Sequence, residues 1–362
     1  MARHDGKMAL LVGTSKGAFI FTSDGARKRW KLSGPHLKGN EIYNMAYDRR
    51  NGRVLASVSS GHWGPTIART DNLGEDWKVT KTPPKFPKKS GLSVKRIWQI
   101  KPGFDDDPGV VYAGIEPACL FMSKDGGDRW EANEAMLNQP TRKRWTPGGG
   151  GLCLHSIVIN RKRPKRILIA ISAVGTMRSD DGGESWKFKN RHVLAGDRPD
   201  AYPEFGQCVH KIALHPSHPD VIYQQCHFGV YRSDDAGDDW KDIRGNLPSR
   251  FGFPCAVDAN EPKRVYLAPL EGDFSRVPAD GHFGIWATDK GGGEWTKLEA
   301  GLPQISYFTV LRDGMKADSE DPCGLYFGST TGQLFVSPNQ GNSWVKVSDG
   351  LPPILSVHAS AM

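Results

Sequence analysis

Ser123-Lys-Asp125-Gly-Gly127-Asp-Arg-Trp130, Ser179-Asp-Asp181-Gly-Gly183-Glu-Ser-Trp186 and Ser233-Asp-Asp235-Ala-Gly237-Asp-Asp-Trp240 are three copies of one pattern. Looser copies read Thr70-Asp-Asn72-Leu-Gly74-Glu-Asp-Trp77, Thr288-Asp-Lys290-Gly-Gly292-Gly-Glu-Trp295 and Ser337-Pro-Asn339-Gln-Gly341-Asn-Ser-Trp344. A stretched first copy runs from Ser23-Asp24-Gly25 to Trp30, and the seven tryptophans fall 47 to 56 residues apart. A fixed period of that length is the signature of an array of like units. Within each unit the hydroxyl and carboxyl bond back to the turn, glycine supplies positive φ, and tryptophan has a large apolar ring to bury.

The segments between the turns are short and rich in β-formers, such as Arg53-Val-Leu-Ala-Ser-Val58 and Val221-Ile-Tyr-Gln224. No long stretch carries a 3.6-residue period, so the chain reads as all-β. Seven units of four strands predict a single seven-bladed β-propeller over residues 1–362, one domain although the length alone suggests two. In the fourth unit the strands are expected at 154–159, 166–171, 175–178 and 186–189. The chain opens in mid-unit. Ala9–Gly13 and Gly17–Thr22 read as middle strands whose missing inner strand is Leu355–Ala359, so the two ends close the ring and leave no open edge.

The Ser-x-Asp-x-Gly-x-x-Trp element resembles the Asp-box, or BNR repeat, of sialidases and their many non-sialidase relatives. The resemblance covers nearly the whole chain and implies the fold, since a shared repeat does not specify chemistry. True sialidases carry six blades, an early Arg-Ile-Pro motif and three arginines on the substrate carboxylate. This chain has seven units and no Arg-Ile-Pro. Xyloglucan-type hydrolases of the repeat class set their cleft between two propellers, and here there is one. Photosystem assembly factors with the repeat are single seven-bladed propellers with a basic surface and act by binding proteins.

Net charge is +8, unevenly spread. Residues 77–104 hold eight Lys/Arg and no acid, and residues 135–179 hold nine and no acid. Such a sector suits an acidic protein partner or an anionic glycan. Aromatics do not interleave with the basic residues and no nucleic-acid motif occurs, which argues against nucleic acid. The longest apolar run, around Ile167–Ile171, is too short to span a bilayer, so no membrane role is expected. Six cysteines without CxxC spacing and a start lacking a signal-peptide layout predict reduced thiols and a cytoplasmic protein.

The D–A and B–C loops share the face opposite the Asp-box turns, and segments 78–95, 131–152, 187–207 and 271–282 are long enough to carry function. Counting back five residues from each A–B hairpin brings Tyr43, Arg96, His155, His210, Phe253 and Tyr307 to one ring, with His358 near it. The ends of the B strands add His62, Glu116, His227 and Glu271, with Asp273 close by. Equivalent positions in a repeat converge in space, so these residues predict a polar, histidine-rich cup at the channel mouth. Three chemistries fit. His155, His210 and His358 could hold a divalent transition metal. Glu116 and Glu271 with His155 and His210 could run acid–base hydrolysis or lyase chemistry, with Tyr43, His62, Arg96, His227, Asp273 and Tyr307 binding the ligand. The third reading has no chemistry, with the polar groups satisfied by water. The leading expectation is a glycosidase-like site for a small anionic or sugar-like ligand. The alternative is a non-catalytic protein-binding scaffold using the basic sector.

Overall fold

A computed structural model describes residues 6–196 and 200–362. Twenty-eight strands form seven four-stranded antiparallel sheets, and the inner strand of each sheet touches the inner strand of the next around a closed ring. The protein is a seven-bladed β-propeller, as the repeat predicts. Blade one joins the chain ends: Ile354–Ala361 is its inner strand and pairs with Met8–Thr14 from Met8↔Ala361 to Val12↔Val357. Blade four has strands Leu154–Ile159, Ile167–Ile171, Gly175–Ser179 and Lys187–Phe188, within a residue or two of expectation.

Each blade is covered on both faces by its neighbours, so its middle strands need not alternate. Ile167–Ile171 is buried at every position. The only α-helix among the described residues is one turn, Glu134–Leu137.

The repeated turns hold the blades together. Ser179 Oγ donates to Asp181 Oδ1 at 2.7 Å and accepts the Gly183 N–H at 2.7 Å. Gly183 has φ of +102°, a conformation that side chains other than glycine rarely adopt. Ser123, Ser233, Ser337 and Thr70 make the same pair of bonds. The later tryptophans then reach backward across the blade boundary, whereas Trp130 Nε1 stays on its own turn at Gly127 O. Trp240 Nε1 donates to Lys189 O, Trp295 to Ile243 O and Trp344 to Leu298 O, each acceptor in the preceding outer strand or the residue just after it. Burying an indole of this kind is worth on the order of 3–5 kcal/mol. In the stretched first copy the stapling passes to Arg27, whose guanidinium is buried against Asp318 at 2.9 Å and the carbonyls of Pro322 and Pro338.

The inner strands share an irregularity that positions the site. The ladder register slips at Tyr43–Asn44, Trp98, His155, His210 and Phe253–Pro254, one bulge near the start of each of these five strands. A bulge leaves its extra residue unpaired and turns the side chain out of the regular pleat. All five lie at the end of the channel ringed by the D–A and B–C loops.

Candidate functional site at the channel mouth

Arg312 occupies the centre of this mouth. It comes from the loop entering blade seven, and its guanidinium carbon sits 5.6 Å from the Trp98 ring centroid and 5.3 Å from that of Phe253. Trp98 belongs to blade three and Phe253 to blade six, so Arg312 reaches across the opening. No carboxylate pairs with it among the described residues, and its Nε is buried without an acceptor. Two further guanidiniums flank it. Arg96 lies 4.4 Å over Tyr43 and 5.5 Å from the Trp98 ring, with Glu116 at 3.8 Å and Glu41 at 4.0 Å. Arg276 lies 5.5 Å from the Phe253 ring and donates through Nε to the Asp273 carbonyl.

Glu116 is the buried carboxylate of the mouth and accepts the Trp98 indole N–H at 3.0 Å. Gly151 closes over it with φ of +93°, and a Cβ there would collide with the Glu116 carboxylate. The glycine run 148–151 thus lets the loop approach the acid.

The histidines divide into two kinds. His155 is fully buried, with Nε2 at 2.9 Å from Val209 O and Nδ1 at 3.0 Å from Ser156 Oγ. Both ring nitrogens are engaged, so His155 has no lone pair free for a metal. His210 donates from Nδ1 to Gly252 O at 2.6 Å and turns Nε2 toward Cys208 Sγ at 3.6 Å. Burial, reinforced by the Arg312 charge, holds the pKa of each well below the ordinary histidine value, so both are neutral. His227 packs against His210 with ring centroids 5.6 Å apart and faces Asp273 at 3.5 Å.

Other expected members lie elsewhere. In blade one the slip falls at Leu355, so His358 belongs to a deeper layer, among Lys101, Lys316 and Arg49, and does not join His155 and His210 in one metal site. Tyr307 is 65% exposed on a loop, because the sixth inner strand is Met315–Ala317 and its hairpin begins at Asp318. Counting back from Asp318 gives Asp313, which is salt-bridged to Lys211. His62 and Glu271 are exposed, and the Glu271 carboxylate has no polar partner among the described residues. In blade three the hairpin closes at Gly103, which puts Trp98 on the bulge and Arg96 two residues before it. Trp145 is buried and Phe205 stacks on Phe188, so these two anchor the loops, while Tyr202 is exposed. Residues 197–199 of that loop lie outside the described set.

Trp98 was recoverable from the sequence by placing the third hairpin correctly. Arg312, Arg276 and Cys208 were not, since they come from loops or chain positions outside the counted ring.

Below the mouth the channel stays positive. The pKa of Lys101 is pushed down to about 7 by burial and by Lys316, Arg161, Lys211 and Arg49, which come from four other blades. Asp313 is the carboxylate that answers this group. Summed over the channel, the field favours an anion. A broad depression of about 590 Å³ on the opposite face is lined by Arg232 and Lys241, both already paired with Asp234.

Fold and site together define a seven-bladed propeller with an arginine- and histidine-lined channel mouth. No protein-family model matches the chain, and no curated protein matches it. Solved propellers do. An ancestral GH74 enzyme is 17% identical over 85% of this chain, with a TM-score of 0.58, and the chain spans 38% of that enzyme's length. A candidate 6-phosphogluconolactonase from Bacteroides uniformis is 12% identical, covering 98% of this chain and 100% of its own, at a TM-score of 0.58. YCF48 bound to a D1 peptide is 15% identical, covering 95% and 90%, at 0.52. At these identities the likeness is one of fold.

Proposed function

We propose that the channel mouth binds a small anionic, sugar-sized ligand. The observation that carries this reading is Arg312: a guanidinium centred in the opening, flanked by two aromatic rings, with no acid paired to it among the described residues. A planar, unpaired cation in a concave site is suited to a carboxylate or phosphate taken in bidentate fashion. Neutral His155 and His210 pack behind the mouth without adding charge. Around the cup, Trp63, Phe274 and Tyr202 are exposed on loops of the same face, where aromatic rings suit the apolar side of a sugar. The glycoside hydrolase and lactonase neighbours are compatible with such a ligand. If the site turns its ligand over, Glu116 is the carboxylate placed to act on it, and Glu116→Gln would remove turnover while keeping binding. Six unpaired cysteines, five of them buried, support a reducing compartment such as the cytoplasm.

Thermal unfolding against glucuronate, glucose 6-phosphate and glucose tests the reading. Ligand at 100 times its Kd adds about 2.7 kcal/mol, so the two anions raise the Tm and glucose does not. Equal shifts from all three, or none from either anion, would count against it.

A second reading is a protein-binding scaffold. Trp63, Phe274, Ile305 and Tyr307 form exposed apolar points on the mouth face, and Lys85, Lys88 and Lys89 stand exposed on a loop of that face. An acidic peptide would suit these side chains, and the YCF48 neighbour is a chain of similar fold bound to a D1 peptide. Reversing charge at Lys85, Lys88 and Lys89 would break such a complex and leave the small-anion site untouched.

A further inference from the structure

We propose that Cys208, His210 and His227 form a transition-metal site on the wall of the channel mouth, best suited to zinc. One ligand atom from each of the three lies within 4.8 Å of the others. The Cys208 Sγ to His210 Nε2 distance of 3.6 Å matches two ligands on a tetrahedral ion whose bonds are about 2.3 Å to sulfur and about 2.0 Å to nitrogen. His210 is oriented for the task. Its Nδ1–H is held by the Gly252 carbonyl at 2.6 Å, which fixes the tautomer with the Nε2 lone pair facing the thiol. That backbone contact is the arrangement metal-bound imidazoles use, and it also raises their basicity.

The strand, the residue before it and the turn that supply the ligands are tied to one another. His210 sits on the bulge of Val209–Leu214, and Cys208 two residues earlier anchors the same turn through its carbonyl to the His227 N–H at 2.9 Å. His227 packs edge-on against Phe251 at 5.0 Å, so its ring has little freedom to leave. Asp273, 3.5 Å from His227 Nε2, stands beside the three ligands, leaving the fourth position to a water.

Charge decides whether a dication is tolerated here, because Arg276 and Arg250 are close to His227. On binding, Cys208 loses its thiol proton to solvent and becomes a thiolate. A thiolate and the Asp273 carboxylate together supply two negative charges against the two of the metal, while both imidazoles bind neutral. Binding therefore adds one net positive charge, and with Asp273 counted the loaded site is neutral. One soft sulfur and two imidazoles select zinc or its spectroscopic substitute cobalt over magnesium or calcium, which want oxygen. The set differs from the histidine triad expected from the repeat count, and it stands independently of the anionic-ligand assignment, since the metal needs neither Arg312 nor Glu116.

Cobalt titration tests it directly. Purified full-length protein freed of metal with chelator is titrated with Co²⁺, and the expected result is a thiolate-to-cobalt charge-transfer band and intense tetrahedral visible bands saturating at one equivalent, then bleached by one equivalent of Zn²⁺. Cys208→Ser abolishes the charge-transfer band, and His227→Ala weakens cobalt binding at least tenfold with an unchanged far-ultraviolet spectrum. Absence of the band in wild-type protein overturns the proposal, as does its survival in Cys208→Ser. If His227→Ala fails to fold, His227→Gln provides the same readout in its place. Arg312→Ala keeps the cobalt spectrum whether or not the anion reading holds, which separates the two.

Discussion

Replacing the turn hydroxyls by alanine in three blades at once probes what holds the ring together. Ser123, Ser179 and Ser233 are each 1% exposed, and each accepts the N–H of a glycine four residues on, at 2.9, 2.7 and 2.8 Å. Ser→Ala removes the acceptor and leaves that buried N–H unpaired, which costs about 1–3 kcal/mol per site. The three turns lie in successive blades and share no hydrogen-bond partner, so their costs should add. The triple variant is expected to lose roughly 6 kcal/mol, comparable to the whole stability of many domains. Urea unfolding followed by tryptophan fluorescence and far-ultraviolet dichroism reads the loss as a fall in midpoint at constant slope. The matching Ser→Thr triple keeps the hydroxyl, as Thr70 and Thr288 do in their own blades, and should stay within about 1 kcal/mol of wild type. An alanine triple as stable as wild type would refute the staple, and so would a threonine triple as weak as the alanine one.

Deleting residues 354–362 strips the inner strand from blade one and removes the buried side chains of Ile354, Val357, Ala359 and Ala361, about 6 kcal/mol of apolar burial before the lost ladder is counted. The truncated chain should lack a cooperative thermal transition, and a wild-type Tm would break the closure argument. Lys101 sets a pH dependence: with its pKa depressed from 10.5 to about 7, the folded state binds fewer protons than the unfolded chain between those values, so stability rises with pH across that window. Below pH 7 both states are protonated and the full cost of the charge among Lys316, Arg161, Lys211 and Arg49 remains. Lys101→Met should therefore be more stable than wild type by roughly 1–2 kcal/mol at pH 7, allowing for water in the channel, with the advantage fading toward pH 10.5. A constant difference across that range in paired urea titrations would contradict this placement of Lys101.

The fold was legible because its evidence is repeated. Each Ser-Asp-Gly-Trp turn fixes a local conformation, and the spacing between tryptophans counts the blades. The site was legible only where the hairpins could be located. Tyr43, His155, His210 and Phe253 fall on the bulges because their hairpins carry clear Asp, Asn, His and Pro signals. The count failed in blade three, where Gly103 rather than Lys101 closes the strand, and in blade seven, where only three residues form the inner strand. Arg312 escaped for a different reason. It acts from an irregular loop, and no periodicity in the sequence encodes that its side chain crosses the channel to Trp98 and Phe253.

Calorimetric titration of glucuronate and glucose 6-phosphate into wild-type protein and into Arg312→Ala tests the central claim most directly. A charge-assisted contact to an anion is worth about 1.5–3 kcal/mol, so the variant should bind at least one of these anions ten- to a hundredfold more weakly, with its Tm in the absence of ligand unchanged. An unaltered affinity in Arg312→Ala, or no binding of either anion to the wild type, would contradict an anion site at the channel mouth.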